Sequence, residues 1–270
     1  MALTVNTNMA AMAAANTLNN TQGALSNTLA RVSSGLRVTK AADDAAGQAV
    51  ATNLSTQARS GRQAIRNAND GISVIQTAEA ASKEVLNILD RMRELAVQSS
   101  SETLEDGERA YIDSEFHQLS DEVERIAQST EFNDIQLGDG TNSSLAVQVG
   151  VDASSNSRVG ITLGNLTTSN LSVQTTDIDL TNASTAQTAI TTIDSAIDSV
   201  NSIRADYGAV QNRLESSINN MSSYVESLSA AASQIMDADY AHETAEMTRL
   251  QVMQQAGVAA LGQARGMNQS

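Results

Sequence analysis

Residues 186–235 read AQTAITTIDSAIDSVNSIRADYGAVQNRLESSINNMSSYVESLSAAASQI, and their spacing decides the fold. Ala186, Ile190, Ile193, Ile197, Val200, Tyr207, Leu214, Ile218, Met221, Val225, Leu228, Ala232 and Ile235 recur at intervals that alternate between three and four. Arg204 and Gln211 hold the two polar seam positions, with Ile203 and Val210 beside them. A 3-4 alternation kept up this long predicts coiled-coil packing rather than an ordinary globular helix. At 1.5 Å per residue the segment spans about 75 Å, so a rod is expected.

The same seam appears upstream. Ile75, Ala78, Ser82, Val85, Leu89, Met92 and Ala96 follow it, with Ser82 its one polar member. Ile112, Phe116, Leu119, Val123 and Ile126 resume it after a polar, acidic break at 99–107, which reads as a turn between antiparallel helices. The absence of proline suits long unbroken helices. Only 2% of the residues are aromatic, against 41% apolar, so a single compact core is not expected. From 138 to about 180 the charges thin out and Gly, Ser, Thr and Asn accumulate. Leu145-Ala-Val-Gln-Val and Val159-Gly-Ile-Thr-Leu alternate at period two on either side of a turn-rich segment, which predicts a small β-hairpin lying on the helices.

Both ends are different in kind. Residues 5–33 and 241–264 are rich in Ala, Asn and Gln, with small side chains where a core wants large ones. At about 25 cal/mol per Å2 such helices gain little from burial. That is set against about 1–2 kcal/mol per residue of backbone ordering. The ends are therefore expected to order only against partners. Between the N-terminal helix and the first long seam lies a connector, in which Gly35 can close one helix in a left-handed cap. Asp43 and Asp44 can then cap the next.

The charge balance excludes some classes. With 31 acids against 16 bases the chain carries a formal charge of −15, a poor match for nucleic acid or an anionic membrane surface. Absence of Cys removes disulfides, thiolate metal sites and a Cys nucleophile. Residues 1–30 carry no charge, but they lack the basic start of a signal peptide, and Asn and Thr interrupt every apolar run. No run reaches the roughly 18 apolar residues of a membrane span, so no membrane insertion is expected.

At this point the motifs resemble bacterial flagellin. Leu29-Ala-Arg-Val-Ser-Ser-Gly-Leu-Arg, Ala42-Asp-Asp-Ala-Ala-Gly and Asn67-Ala-Asn-Asp-Gly-Ile-Ser carry the resemblance at the front of the chain. Ile235-Met-Asp-Ala-Asp-Tyr-Ala and Met253-Gln-Gln-Ala-Gly carry it at the back. The resemblance implies a mainly α subunit of minimal form, without outer variable domains. It would have an N-terminal inner helix and connector over 1–44 and rod helices over 45–180, with the hairpin at about 138–180. A long C-terminal rod helix over 181–235 and a C-terminal inner helix over 236–270, paired with the N-terminal one in an inner domain, would complete it. It also implies a few further residues beyond Ser270 in the family's usual chain.

The function so implied is that of a structural subunit, polymerising with itself into the filament used for swimming. It would be extracellular, exported by the flagellar type III route without a cleaved signal peptide. Expected partners are the export chaperone, the filament cap and the hook-junction proteins. Two other readings remain: a hook–filament junction protein, which would need a larger middle insertion, and a soluble coiled-coil binding module, which would need stable ends.

No catalytic, cofactor or metal residue is assigned. His117 and His242 lie on separate segments and read as solvated helix surface. Asp237 and Asp239, beside Tyr240 in the C-terminal motif, read as helix caps rather than paired acids. One surface cluster stands out. Met92 and Ala96 face the seam, so Arg91, Leu95 and Gln98 are expected off it, with Leu95 an exposed apolar contact point. The resemblance implies that these three, with Glu115 on the next helix, form a subunit-contact surface that Toll-like receptor five also recognises. Gly35, Arg37, Asp43 and Asp44 are the connector residues it implies.

Overall fold

The computed structural model describes residues 8–266. The expected helix start at residue 5 and the terminus at Ser270 lie outside the described residues. The chain is mainly α, as the spacing predicts. In order it forms α1 (Met9–Ser34), α2 (Ala45–Ser99), α3 (Asp106–Ser129), β1 (Glu131–Phe132) and β2 (Ile135–Gln136). Then come β3 (Ser144–Gln148), β4 (Arg158–Thr162), the single turn α4 (Thr168–Leu171), α5 (Ala183–Met236) and α6 (Tyr240–Gly266). The polar break at 99–107 is indeed the α2–α3 connection.

Two compact units result. One runs over Arg59–Val225; the other joins the residues up to Ala58 to those from Glu226 onward. Both α2 and α5 contribute to each.

In the unit over Arg59–Val225, α2 and α5 pack antiparallel. Arg93 meets Asp194 at 2.5 Å and Arg204 meets Glu79 at 3.6 Å. At Gly61 an added Cβ would lie 2.5 Å from Val225 Cγ2, so the two helices touch there with no room for a side chain. α3 covers the upper part of this pair. Val85, Leu89, Met92, Phe116, Val123, Ile193 and Val200 share one core there. Ser82, the polar member of the seam, is fully buried, and its hydroxyl donates to the Ala78 carbonyl at 2.8 Å. That bond lets a hydroxyl occupy a core position at little cost.

A second core, around Ile75, Tyr207 and Leu214, is covered by the hairpin. β3 and β4 pair antiparallel with Leu145 opposite Ile161 and Val147 opposite Val159, as the expected hairpin. Val159 and Ile161 are buried while their neighbours are exposed.

Two features differ from the expectation. Residues 131–136 form an additional two-stranded turn, with Asn133 and Asp134 at φ 50° and 64°. Residues 163–180 are not part of the hairpin. They run irregularly along α3 and bury Leu166, Leu171, Val173, Ile178 and Leu180 in the first core. Specific side chains anchor that run. Ser120 Oγ donates to the Val173 carbonyl at 2.7 Å, Ser99 Oγ to the Leu180 carbonyl at 2.5 Å, and the Leu180 N–H to Asp113 at 3.0 Å.

In the other unit α1 and α6 pair antiparallel, as expected of the two terminal helices. Asn8 reaches the Ala264 carbonyl at 2.9 Å, Gln254 reaches Gln22 at 3.1 Å, and Arg31 faces Glu243 at 3.4 Å.

Candidate interaction surfaces

The connector residues close the terminal pair. Gly35 ends α1 at φ 71°, its N–H reaching the Arg31 carbonyl at 2.8 Å. This left-handed conformation is where glycine costs least. The chain then pairs with the α5–α6 junction. Leu36 and Asp237 form an antiparallel bridge, the Arg37 N–H meets the Met236 carbonyl at 2.6 Å, and the Ala238 N–H meets the Gly35 carbonyl at 3.0 Å. The Arg37 guanidinium adds a bond to the Ile235 carbonyl at 2.6 Å, a cation placed on the C-terminal carbonyls of a helix.

Asp44 caps α2, accepting the Gly47 N–H at 2.8 Å. Asp43 does not share that task. Its carboxylate turns back to accept from the Thr39 hydroxyl and the Thr39 and Lys40 N–H groups, all within 3.1 Å. Those bonds, the Thr39 hydroxyl first, hold its carboxyl below the usual range. Asp239 caps α6 by accepting the Ala241 and His242 N–H groups. Asp237 accepts the Ser233 hydroxyl, and Tyr240 is exposed.

What α1 and α6 bury is unusual. Their buried residues are Thr21 and Thr28 on one helix and Glu243 and Leu250 on the other. Meanwhile Met9, Met12, Leu29, Val252, Met253 and Val258 are exposed, at 41% to 69% of their surface. Six of the pair's large apolar groups therefore face outward, while Leu250 is buried between the helices.

On the long helices, Arg91 bonds Glu115 at 2.8 Å and Glu94 at 2.9 Å, bridging α2 to α3. The Glu115 bond, then that of Glu94, pushes the Arg91 guanidinium up. Gln98, about two turns further along α2, is exposed. Leu95 corrects the expectation: it is only 1% exposed and sits in the first core. The cause is α3 and the 163–180 segment, which widen the buried stripe of α2 beyond a two-helix seam. The exposed apolar residue of this turn is Val97. His117 is half-buried rather than fully solvated. Its ring stands edge-on to Phe116 at 6.5 Å, with Nδ1 3.7 Å from Asp113 and a buried Nε2 without a partner. His242 is exposed.

Sequence reasoning missed the groups that tie the α2–α3 turn. Arg109 is 5% exposed and bonds the carbonyls of Ser99, Ser101 and Leu104, the latter two at 2.8 and 3.2 Å. Glu124 accepts the Thr168 N–H and hydroxyl at 2.9 and 2.8 Å. Burial opposes its charge, but the Thr168 and Gln128 bonds outweigh that and hold its carboxyl down. Burial pushes the Tyr207 phenol up; its oxygen accepts the Gly164 N–H at 2.9 Å. An i, i+3 salt-bridge pattern would have hinted at none of these.

Among the described residues no group of three or more His, Asp or Glu is placed to hold a metal ion, and no helix is long and apolar enough to cross a membrane.

Comparison with known proteins places this arrangement. Residues 5–143 match the bacterial flagellin N-terminal helical region, and residues 190–270 match the C-terminal helical region. Flagellin of Halalkalibacterium halodurans is 44% identical over 240 residues, covering 89% of this chain and 88% of that one. The flagellar filament 33 kDa core protein of Treponema phagedenis is 37% identical, covering 98% and 97%. The crystal structure of Bacillus cereus flagellin is 34% identical with a TM-score of 0.50, over 58% of this chain and 88% of that one. With both helical regions matched in order and relatives this similar over nearly their whole length, the chain belongs to the bacterial flagellin family.

Proposed function

We propose that this chain is the structural subunit of a bacterial flagellar filament and polymerises with itself for swimming motility. The observation that carries this reading is the outward apolar surface of the α1–α6 pair. Met9, Met12, Leu29, Val252, Met253 and Val258 are exposed together on helices whose own contact buries mostly polar groups. A single copy gains little from such a pair; many copies packed side by side bury it. The mechanism is coupled ordering and assembly: the terminal helices order at the growing end, where neighbours cover these side chains. The terminal pair then forms the inner layer, and the helices of 45–235 with the hairpin form the layer outside it. Interfaces between unlike faces of identical subunits grow open-ended filaments.

This reading places the chain outside the cell, exported by the flagellar type III route without a cleaved signal peptide. The export chaperone, the filament cap and the hook-junction proteins are its partners in that process. The short middle segment favours the filament subunit over a hook–filament junction protein. The α2–α3 face with Arg91, Gln98 and Glu115, backed by buried Leu95, is a subunit contact that Toll-like receptor five also recognises on the monomer.

Hydrogen exchange tests the mechanism. In the monomer the amides of α1 and α6 exchange fast while those near Phe116 and Tyr207 are protected; in the polymer both sets are protected. Protection of α1 and α6 in the monomer equal to that near Phe116 and Tyr207 would favour the soluble coiled-coil module instead.

A further inference from the structure

Charge is unevenly divided along the unit over Arg59–Val225. At one end lie Arg59, Arg62 and Arg66 of α2, Arg158 at the foot of the hairpin loop and Arg213 of α5; no acid occurs from 45 to 69. A groove of about 430 Å3 opens here between the hairpin and α5, lined in part by Asn156, Arg158, Asn212, Arg213 and Ser216, and no carboxylate lines it. Neither Arg158 nor Arg213 makes an ion pair with any described residue, and both are exposed. Of the nearby acids, Asp152 shares with Arg158 a second groove between the hairpin and α2 but makes no ion pair with it, and Glu215 is bonded by Gln211 at 3.1 Å.

Arg158 is also oriented. Its Nε donates to Gln148 Oε1 at 3.0 Å, and Gln148 is in turn fixed to the Gly150 and Asp152 carbonyls. The two outer nitrogens of the guanidinium are left free, the fork that matches a carboxylate.

The opposite end is the complement. The turn between α2 and α3 and the start of α3 carry exposed Glu102, Glu105, Asp106 and Glu108. The one Lys or Arg between residues 94 and 124 is Arg109, buried and consumed by backbone carbonyls. The two ends are about 54 Å apart along α2 at 1.5 Å per residue.

We propose that the Arg158–Arg213 groove receives the acidic α2–α3 turn of a second copy of this chain, with carboxylates of Glu102 and Asp106 seated on the two guanidiniums. A basic patch matched to an acidic patch elsewhere on the same molecule is a heterologous, head-to-tail contact, the kind that grows an open filament when its rotation does not close a ring. In a chain of charge −15 it also places attraction at a junction between like-charged copies. This inference rests on the polymerising reading and specifies one of its contacts.

The test is seeded elongation of the full chain, read as the monomer concentration left after sedimentation, at low and high NaCl. The double variant R158E/R213E is expected to leave at least tenfold more monomer than the parent at low salt, and the neutral R158Q/R213Q an intermediate amount. Adding E102K/D106K to R158E/R213E is expected to restore elongation, because the swap re-creates both pairs. Monomer unfolding by urea serves as the folding control for each variant. The proposal is overturned if R158E/R213E elongates like the parent. It is equally overturned if the charge swap fails to restore growth, since the groove would then face some other anion. A parent that does not elongate at all overturns the polymerising reading itself, a result separate from either of these.

Discussion

Replacing Arg109 with Met tests whether a buried cation, rather than apolar packing, locks the α2–α3 turn. The stem of the side chain is kept and three hydrogen bonds are lost, to the carbonyls of Ser99, Ser101 and Leu104. Bonds from a charged donor contribute about 1.5–3 kcal/mol each, but the carbonyls of half-exposed Ser101 and Leu104 recover water on substitution. Ser99 is fully buried, so its carbonyl stays without a donor at the end of α2. The expected loss is about 3 kcal/mol, little of it returned by the more apolar Met. For a unit of this size that lowers Tm by about 6–12 °C. Urea unfolding of the monomer followed by circular dichroism measures it, and Arg109→Lys, with one point donor in place of the fork, should fall between the two. If Arg109→Met unfolds within about 0.5 kcal/mol of the parent, the carbonyls need no donor and the account of this turn is wrong.

Other expectations follow from the same packing. Gly61→Ala should destabilise by about 1–2 kcal/mol in spite of better helix propensity, because its Cβ would meet Val225 Cγ2, and Val225→Ala in the same chain should recover part of that loss. Of the four tyrosines, Tyr207 should ionise last in a spectrophotometric alkaline titration, and Tyr207→Phe should remove that step at a cost of about 1–2 kcal/mol for the orphaned Gly164 N–H. Glu124 has its carboxyl lowered by folding, so the unfolded chain binds more protons there. Its stabilising contribution is full above about pH 4.3 and is lost as pH falls through its folded value; Glu124→Gln should flatten the acid limb of stability against pH. Monomer should activate Toll-like receptor five reporter cells at nanomolar dose and intact filaments only weakly; a silent monomer would sink the assignment of Arg91, Gln98 and Glu115.

The helices were legible because their apolar spacing is long and regular: Ile193 to Leu228 can be placed on one face by counting alone. The hairpin was legible for the same reason, since Val159 and Ile161 alternate with exposed neighbours. The 163–180 segment was not. Its Leu and Val residues follow no period, and their burial depends on Ser120, Asp113 and Ser99 offering hydrogen bonds from distant points in the chain. Leu95 was misplaced because a seam drawn for two helices has one buried stripe, whereas α2 is covered on two sides. Asp43 and Asp44 look equivalent in sequence; only the local turn at Thr39 and Lys40 decides that one faces backward and the other caps α2. The outward face of α1 and α6 could be sensed only as a shortage of large core residues. Which side those few residues occupy became visible with the Arg31–Glu243 register.

The most direct test of the polymerising subunit is negative-stain electron microscopy of the full-length protein, first monomerised, then incubated with short filament seeds. Long filaments of uniform width growing from the seeds are the expected result. Monomers that persist beside intact seeds, with α1 and α6 resistant to protease, would contradict it.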